Sequence, residues 1–248
     1  MQVPSLVRRR AATFRRAVGE SYRAGGVPAA LGEVVRLTGE LFARPVRTWR
    51  EQRLDRSRRL DTRAEPTIEP SGTFDDAVGY APIPVHHFRQ LLRALPLGDP
   101  REFALIDLGC GKGRTLVLAA DHGFASVVGV ELDARLAHIA RANTVAVPAA
   151  SVITGDATDY AFPPGPVVVF LFNPFGAATL TAVVTNLEIS LKETPRRLIV
   201  AYFNPVHRDV LDDSPAFRLS SAARHWAIYE SRTVRPATLV RGDRESRG

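Results

Sequence analysis

The residues best suited to chemistry lie in a glycine-rich turn that follows a short apolar run. The run 104–108 is followed by glycines at alternate positions, and an acid, Asp107, comes two residues before the first of them, Gly109. The other two glycines are Gly111 and Gly113. Glycine is needed where the backbone takes a positive φ or approaches a ligand closely. The pattern predicts a ligand-binding loop between a buried strand and the N-terminus of a helix.

Three kinds of nucleotide-binding loop compete for this pattern. A P-loop requires Gly-Lys followed by Ser or Thr, whereas Lys112 is followed by Gly113 and Arg114. A dinucleotide fold uses G-x-G-x-x-G, which places a pyrophosphate on a helix N-terminus. The observed spacing is G-x-G-x-G, and the carboxylate of Asp107 would repel a pyrophosphate. An acid there suits a ligand with positive charge and no phosphate, such as S-adenosylmethionine (SAM), which carries a sulfonium and an amino group.

Three further segments resemble landmarks of a known family. They are Val127-Val-Gly-Val-Glu131, Val152-Ile-Thr-Gly-Asp-Ala157 and Val167-Val-Val-Phe-Leu-Phe-Asn-Pro-Phe175. Together with the glycine loop and in this order, they resemble the class I (Rossmann-like) SAM-dependent methyltransferases. The likeness extends over roughly residues 78–235. It implies that the chain is a methyltransferase and that SAM is its cofactor.

The resemblance also implies which residues bind the cofactor. Glu131 would hold both ribose hydroxyls, and Asp156 would receive the adenine amino group. The implied contacts in the glycine loop are Asp107, Gly109, Cys110, Gly111 and Gly113. Tyr80, which precedes a predicted helix, is a candidate lid over the methionine end. Without the resemblance, Glu131 is equally a helix cap, Asp156 a turn residue and Tyr80 an aromatic that packs on the core.

The candidate catalytic residues are Asn173, Pro174 and Phe175, which follow the fourth apolar strand. They resemble the Asn/Asp-Pro-Pro-aromatic motif of methyltransferases that act on nitrogen, although the second proline is missing. The resemblance implies that the Asn173 side-chain oxygen and the Pro174 carbonyl accept the N–H groups of an amine. It also implies that the Phe175 ring stacks on the acceptor or stabilises the cationic product. Alternatively, Asn173-Pro174 is only a turn that ends a strand.

Strand and helix patterns alternate along most of the chain and predict an α/β fold. The strands are predicted at 103–108, 126–131, 150–155, 166–172 and 196–203, with an adjacent final pair at 217–224 and 226–235. The helices are predicted at 85–95, 113–122, 133–143 and 176–192. We expect a Rossmann-like, mostly parallel seven-stranded sheet with an antiparallel last strand, plus an α-helical N-terminal arm.

The positive charge of the chain is concentrated at its N-terminus. Residues 1–65 contain fifteen Arg, no Lys and seven acids, a net charge of +8, whereas the whole chain carries +7. We expect an Arg-rich arm at 1–65, a linker at 66–78 and a methyltransferase domain at 79–248. The arm is expected either to contact an anionic partner or to be a solvated helical extension packed loosely on the domain.

The sequence leaves the methyl acceptor open. A nitrogen on a protein or a small molecule is favoured over RNA, because the domain itself is nearly neutral. An alternative function is an Arg-rich module that binds RNA or an anionic surface.

Several classes of protein and site are disfavoured by composition. A single cysteine excludes a disulfide scaffold and a cysteine-rich zinc site. His86 and His87 are adjacent on a predicted helix, so they cannot share one face as metal ligands, and no metal is expected. No apolar run reaches about eighteen residues, which argues against a transmembrane helix. We expect a cytoplasmic bacterial enzyme.

Overall fold

In a computed structural model, the structure describes residues 27, 28, 31, 55–62 and 80–232. The chain divides into two units, Met1–Arg58 and Arg59–Gly248. In the first unit, residues 27, 28, 31 and 55–58 have helical backbone. Residues 59–62, which the sequence pattern placed in the arm, belong to the second unit. The remainder of the predicted arm and the linker at 66–78 lie outside the described residues.

Seven strands form one sheet within the described part of the chain. They are β1 (Ala104–Leu108), β2 (Ser126–Glu131), β3 (Ala150–Thr154), β4 (Val167–Phe172), β5 (Leu198–Phe203), β6 (Phe217–Ala223) and β7 (Trp226–Ser231). Their order across the sheet is β3-β2-β1-β4-β5-β7-β6. Strands β1 to β5 are mutually parallel, and β7 runs antiparallel to both of its neighbours. The predicted Rossmann-like sheet with an antiparallel last strand is therefore confirmed.

Helices lie before, between and after the parallel strands. They are α1 (Val85–Ala94), α2 (Arg114–His122), α3 (Ala134–Thr144), α4 (Ala177–Glu193) and the short α5 (Asp209–Asp212). Short 3-10 turns lie at Pro100–Glu102 and Ala157–Asp159. The start of α3 has a local cause, because the Asp133 side chain accepts hydrogen bonds from the backbone N–H groups of Arg135 and Leu136. No helix among the described residues is long and apolar enough to cross a membrane.

The central strands are apolar along their whole length because both faces of the sheet are covered. Val169 of β4 packs in one buried cluster with Val183 and Leu187 of α4. The next residue, Phe170, points to the opposite face, where its ring centroid lies 4.9 Å from that of Phe88 in α1. The carboxyl ends of β1 to β5 meet at one edge of this sheet, which is where ligands bind in open α/β folds.

Candidate active site

A cavity of about 300 Å³ lies at the carboxyl edge of the sheet, within the size range of ligand pockets. Residues at the ends of all five parallel strands line it, together with the segment 80–83. The predicted site residues that line it are Tyr80, Asp107, Gly109, Cys110, Gly111, Glu131, Asp156, Asn173, Pro174 and Phe175. Gly113 is not among the lining residues; a Cβ at this position would lie 3.1 Å from the Cβ of Ala140 in α3. Gly113 therefore lets α3 approach the loop.

The glycine loop is held closely by two other predicted site residues. Gly109 has a φ of +82°, and a Cβ added there would lie 2.6 Å from the Cβ of Pro174. Gly111 has a φ of +54°, and its added Cβ would lie 2.4 Å from the ring of Tyr80. Glycine is therefore required at both positions for two reasons: the backbone has a positive φ, and a neighbouring side chain fills the space that a Cβ would occupy. This packing joins the cofactor loop to Pro174 on one side and to Tyr80 on the other.

Asp107, in β1, is 2% exposed. Its Oδ2 accepts a hydrogen bond from the Thr115 hydroxyl. Burial raises the pKa of Asp107 to about 7; the hydrogen bond from Thr115 opposes the shift, and the charge of Glu131 adds to it. A buried carboxyl with a raised pKa beside a cavity favours a ligand that brings positive charge, because such a ligand stabilises the ionised form.

Glu131 ends β2 and is 9% exposed. Its Oε2 accepts from the N–H of Gly111 at 2.7 Å, and its Oε1 accepts from the N–H of Asp133 at 3.0 Å. Burial raises the pKa of Glu131, while these two backbone hydrogen bonds oppose the shift. The cap of α3 is Asp133, so Glu131 is not the helix cap that its position also allowed. Each carboxylate oxygen has a second lone pair, which could accept from a ligand hydroxyl.

Asp156 is a turn residue that also lies in the wall of the cavity. Its Oδ1 accepts from the N–H of Thr158 at 2.8 Å and so caps the 3-10 turn that begins at Ala157. It also lines the cavity. The turn fixes the direction of the carboxylate, and the other oxygen could accept a hydrogen bond from a ligand amino group.

Asn173 has an unusual backbone and a fixed side chain. Its φ is +42°, a region that Asn tolerates better than most other residues but that still stores strain. Its Oδ1 accepts from the Tyr202 hydroxyl at 3.0 Å, and that hydroxyl oxygen accepts from the His207 N–H at 3.4 Å. Tyr202 is 1% exposed. This chain of hydrogen bonds from β5 therefore sets the orientation of the Asn173 amide.

The ring of Phe175 is less accessible to a methyl acceptor than its place in the sequence motif indicates. It is 8% exposed and packs in the same apolar cluster as Leu180 and Tyr202, although part of it lines the cavity. The half-buried Phe172, at the end of β4, lines the same cavity. Sequence reasoning did not single out Phe172, because its position within an apolar run is typical of a core residue.

Asn204 was also missed, although the sequence carries a signal for it. Strand β5 ends in Phe203-Asn204-Pro205, which repeats the Phe172-Asn173-Pro174 at the end of the neighbouring β4. The two phenylalanines are register partners, and their ring centroids lie 5.0 Å apart. Asn204 has a φ of +50° and lines the cavity. Two matching Phe-Asn-Pro loops therefore lie side by side at the end of the cavity.

A further part of the site, which no sequence pattern indicated, is a two-residue segment beside the glycine loop. Asp61 and Thr62, which we call the clasp, pack against the glycine loop. Thr62 is fully buried; its hydroxyl accepts from Nε of Arg114 at 2.8 Å, and its carbonyl accepts from the Tyr80 hydroxyl at 3.1 Å. Asp61 exchanges two hydrogen bonds with the Asn143 side chain, at 2.9 and 3.0 Å. The clasp thus fixes two residues of the cavity wall, Tyr80 and Arg114.

No group of three or more His, Cys, Asp or Glu side chains in the described part of the chain is placed to hold a metal ion. Cys110 is buried in the glycine loop, and burial raises the pKa of its thiol. A thiol in this state is a poor nucleophile.

We expect Gly111→Ala to weaken binding of a cofactor analogue at least about tenfold and to lower the free energy of unfolding by about 2–4 kcal/mol. The added Cβ would both occupy a left-handed backbone position and displace the ring of Tyr80. Calorimetric titration with S-adenosylhomocysteine (SAH) and denaturant unfolding measure the two effects.

Substitutions at two other glycines separate the cost of the backbone conformation from the cost of the contact with Tyr80. Gly123 has a φ of +102° but no atom within 4 Å of an added Cβ, so Gly123→Ala should show the backbone cost alone, about 1–2 kcal/mol. Gly165 has open space and no positive φ, so Gly165→Ala should change stability by less than about 0.5 kcal/mol. If Gly111→Ala were no worse than Gly123→Ala, Tyr80 would not be held over the loop.

Part of the chain matches a known protein family. A family model described as a methyltransferase domain matches residues 105–194, from β1 to α4. The fold is similar to that of an RNA methyltransferase from Salinibacter ruber in complex with SAH, with 21% identity, 61% of this chain and 92% of that chain covered, and a TM-score of 0.42. It is also similar to magnesium protoporphyrin IX methyltransferase from Synechocystis with bound SAM, with 18% identity, coverage of 59% and 76%, and a TM-score of 0.42.

A ribosomal protein L11 methylase from Lactobacillus delbrueckii is similar to the same extent, with 18% identity, coverage of 58% and 78%, and a TM-score of 0.41. No curated protein matches the sequence. Likenesses at these identities and TM-scores concern the fold and say nothing about the acceptor of this chain.

Proposed function

We propose that this chain, whose residues 105–194 match a methyltransferase domain, is a class I SAM-dependent methyltransferase that transfers a methyl group from SAM to a nitrogen atom, an amine of a protein or a small molecule. The observation that supports this acceptor is the fixed amide of Asn173, in the same cavity as Asp107 and Glu131. Asn-Pro at the end of β4 presents two oxygen atoms, which can accept hydrogen bonds from an N–H donor.

The residues of the cavity fit SAM. Asp107 is a buried carboxyl that gains a favourable interaction when a cation is near. Glu131 is fixed by two backbone N–H groups and can still accept from two ribose hydroxyls. Asp156 can accept from an amino group, as adenine carries. When bound, SAM supplies an electrophilic methyl group on its sulfonium.

The proposed role of Asn173 is to aim the acceptor nitrogen. One lone pair of its Oδ1 accepts from Tyr202, and the second could accept an N–H of the acceptor. The Pro174 carbonyl would accept the other N–H, so that the nitrogen lone pair points into the cavity. Holding reactants in line accounts for much of the acceleration in such displacements.

The aromatic rings of the cavity support a nitrogen acceptor in a second way. Methylation of a neutral amine places a positive charge on the nitrogen before it loses a proton. Phe172 and Phe175 line the cavity beside Asn173, and the face of an aromatic ring stabilises a nearby cation. Asn204, in the matching loop of β5, adds a further polar group at the same end of the cavity.

We expect label from methyl-labelled SAM to enter the protein or the small-molecule fraction of a host-cell extract. The extract would be divided into protein, RNA and small molecules after incubation with the enzyme. Label in an N-methyl group survives mild base, whereas label in a methyl ester is released as methanol. An Asn173→Gly variant that still binds SAH is the control, and label that depends on Asn173 supports the proposal.

The Arg-rich N-terminal segment favours a second candidate, an RNA acceptor or an RNA-binding role. The observation that favours this candidate is the net charge of +8 in residues 1–65. Clusters of arginine bind nucleic acids because they neutralise phosphates. Label confined to the RNA fraction would contradict the amine proposal and support this candidate. Base-labile label in protein would contradict nitrogen as the acceptor atom.

A further inference from the structure

We propose that Arg114 binds the carboxylate of the methionine moiety of the cofactor, and that Thr62 positions its guanidinium group. The inference rests on the SAM-dependent function stated above. It adds a cofactor-binding residue outside the glycines and acids of the sequence motifs, and a positioning residue from a segment distant in sequence.

The first argument is the balance of charge in the cavity. The methionine moiety of SAM carries an ammonium and a carboxylate group, so it needs both signs of charge around it. Three carboxyl groups line the cavity, those of Asp107, Glu131 and Asp156. Among the described residues that line it, Arg114 alone carries a positive charge. A carboxylate in this cavity would therefore be most stable beside Arg114.

The second argument is the geometry of Arg114 itself. The residue is 5% exposed, although arginine is rarely buried. Its Nε donates to the Thr62 hydroxyl at 2.8 Å and its Nη1 donates to the carbonyl of Ile83 at 3.3 Å. These two bonds fix the plane of the guanidinium, and a fixed plane is what bidentate binding of a carboxylate requires.

The position of Arg114 in the fold adds to this. It is the first residue of α2, where the backbone N–H groups of the helix N-terminus favour an anion. Tyr80 and Ile83, from the segment just before α1, line the same cavity. The helix end and this segment therefore converge on the guanidinium.

The clasp explains how Arg114 is kept in place. Thr62 is fully buried and contacts both Arg114 and Tyr80. Asp61 is tied to the Asn143 side chain and lies 3.5 Å from Nζ of Lys112, which is 1% exposed. Anchored at these points, the clasp places the Thr62 hydroxyl where it accepts from Arg114. Thr62 is thus a positioning residue that acts through the guanidinium.

The test compares two ligands that differ only in the carboxylate. SAH carries it, and decarboxylated SAH (S-adenosyl-3-thiopropylamine) retains the amine but lacks the carboxylate. We expect the wild-type protein to bind SAH at least about tenfold more tightly than the decarboxylated analogue in calorimetric titration. Arg114→Gln should weaken SAH binding about 10- to 100-fold, as expected for a lost charged hydrogen bond. The affinity for the analogue should change less than about threefold.

Thr62 is tested by a matched pair of variants. Thr62→Val keeps the shape of the side chain but removes the acceptor for Arg114, so it should weaken SAH binding several-fold and leave binding of the analogue unchanged. Thr62→Ser restores the hydroxyl and should restore the preference for SAH. A purely structural role would weaken both ligands alike.

Equal losses for both ligands in Arg114→Gln would overturn the proposal. If the variants did not fold, the wild-type protein would still test the proposal. An equal affinity of the wild-type protein for SAH and for decarboxylated SAH would also overturn the proposal. Failure of the wild-type protein to bind SAH at all would instead contradict the SAM-dependent function. The two failures are therefore distinguishable.

Discussion

Replacing Asn173 with glycine is expected to lower the rate of methyl transfer about 100-fold while SAH affinity stays unchanged, because the amide aims the acceptor and does not hold the cofactor. Glycine is the informative replacement, since Asn173 has a φ of +42° and glycine adopts this conformation without strain. Asn173→Ala would add about 1–2 kcal/mol of backbone strain and so would mix two effects. Single-turnover transfer rates and SAH titration on the same protein give the two quantities.

Two related variants show whether the hydrogen-bond chain matters. Tyr202→Phe removes the donor to Asn173 Oδ1 and should lower the rate by up to about tenfold. Asn204→Gly makes the same change in the matching Phe-Asn-Pro loop, at a φ of +50°. It should have a smaller effect than Asn173→Gly, since Asn204 is exposed. A rate unaffected by Asn173→Gly would leave Asn173-Pro174 as only a strand-ending turn.

The second large effect concerns Asp107 and pH. Burial raises the pKa of Asp107 to about 7, and the ammonium group that SAH shares with SAM favours the ionised form. Affinity for SAH should therefore fall about tenfold between pH 8 and pH 6, as Asp107 takes up a proton. Asp107→Asn should bind SAH weakly at both pH values, and the pH dependence should be largely lost.

The same carboxyl should affect the stability of the protein without ligand. Between pH 4 and pH 7 the folded protein keeps a proton on Asp107 that the unfolded chain has lost, so the free energy of unfolding falls as pH rises. Each unit of pKa difference corresponds to about 1.4 kcal/mol. Asp107→Asn lacks this dependence, so relative to wild type it should gain stability as pH rises from 4 to 7. Thermal unfolding across this range measures the difference.

Thr115→Val provides the control for this assignment. The Thr115 hydroxyl donates to Asp107 and lowers its pKa, so its removal should move the midpoint of SAH binding to higher pH. An unchanged midpoint, or wild-type SAH affinity that does not vary between pH 8 and pH 6, would mean that Asp107 does not contact the ammonium group that SAH shares with SAM.

The sequence by itself determined the fold and the cofactor loop. Apolar runs separated by glycine and polar turns place β1 to β5 within two residues of their predicted bounds, because each such signal is local to its own segment. The order of the motifs also predicts which strand ends meet, since parallel strands share one carboxyl edge. Asp107, Glu131, Asp156 and Asn173 consequently line one cavity, as expected.

The tertiary structure decided what surrounds these residues. Thr62 and Arg114 are 52 positions apart in the sequence, and no local pattern marks Thr62 as buried. A boundary drawn at residue 65 would remove the clasp with the arm. Phe175 is similar: the motif predicts an aromatic ring at the acceptor, but packing against α4 determines how much of that ring remains exposed.

The residues that contact Gly109, Gly111 and Asn173 were likewise revealed only by the tertiary structure. The sequence requires small residues at Gly109 and Gly111, but only the packing of Pro174 and Tyr80 shows what occupies the space. Tyr202 lies within an apolar strand and is typical of a core residue, yet its hydroxyl orients Asn173. Strands, helices and turns can be predicted from the sequence because each depends on residues that are close together in the chain. The burial, the orientation and the pKa of a side chain depend on atoms that are distant in the sequence and meet only when the chain folds.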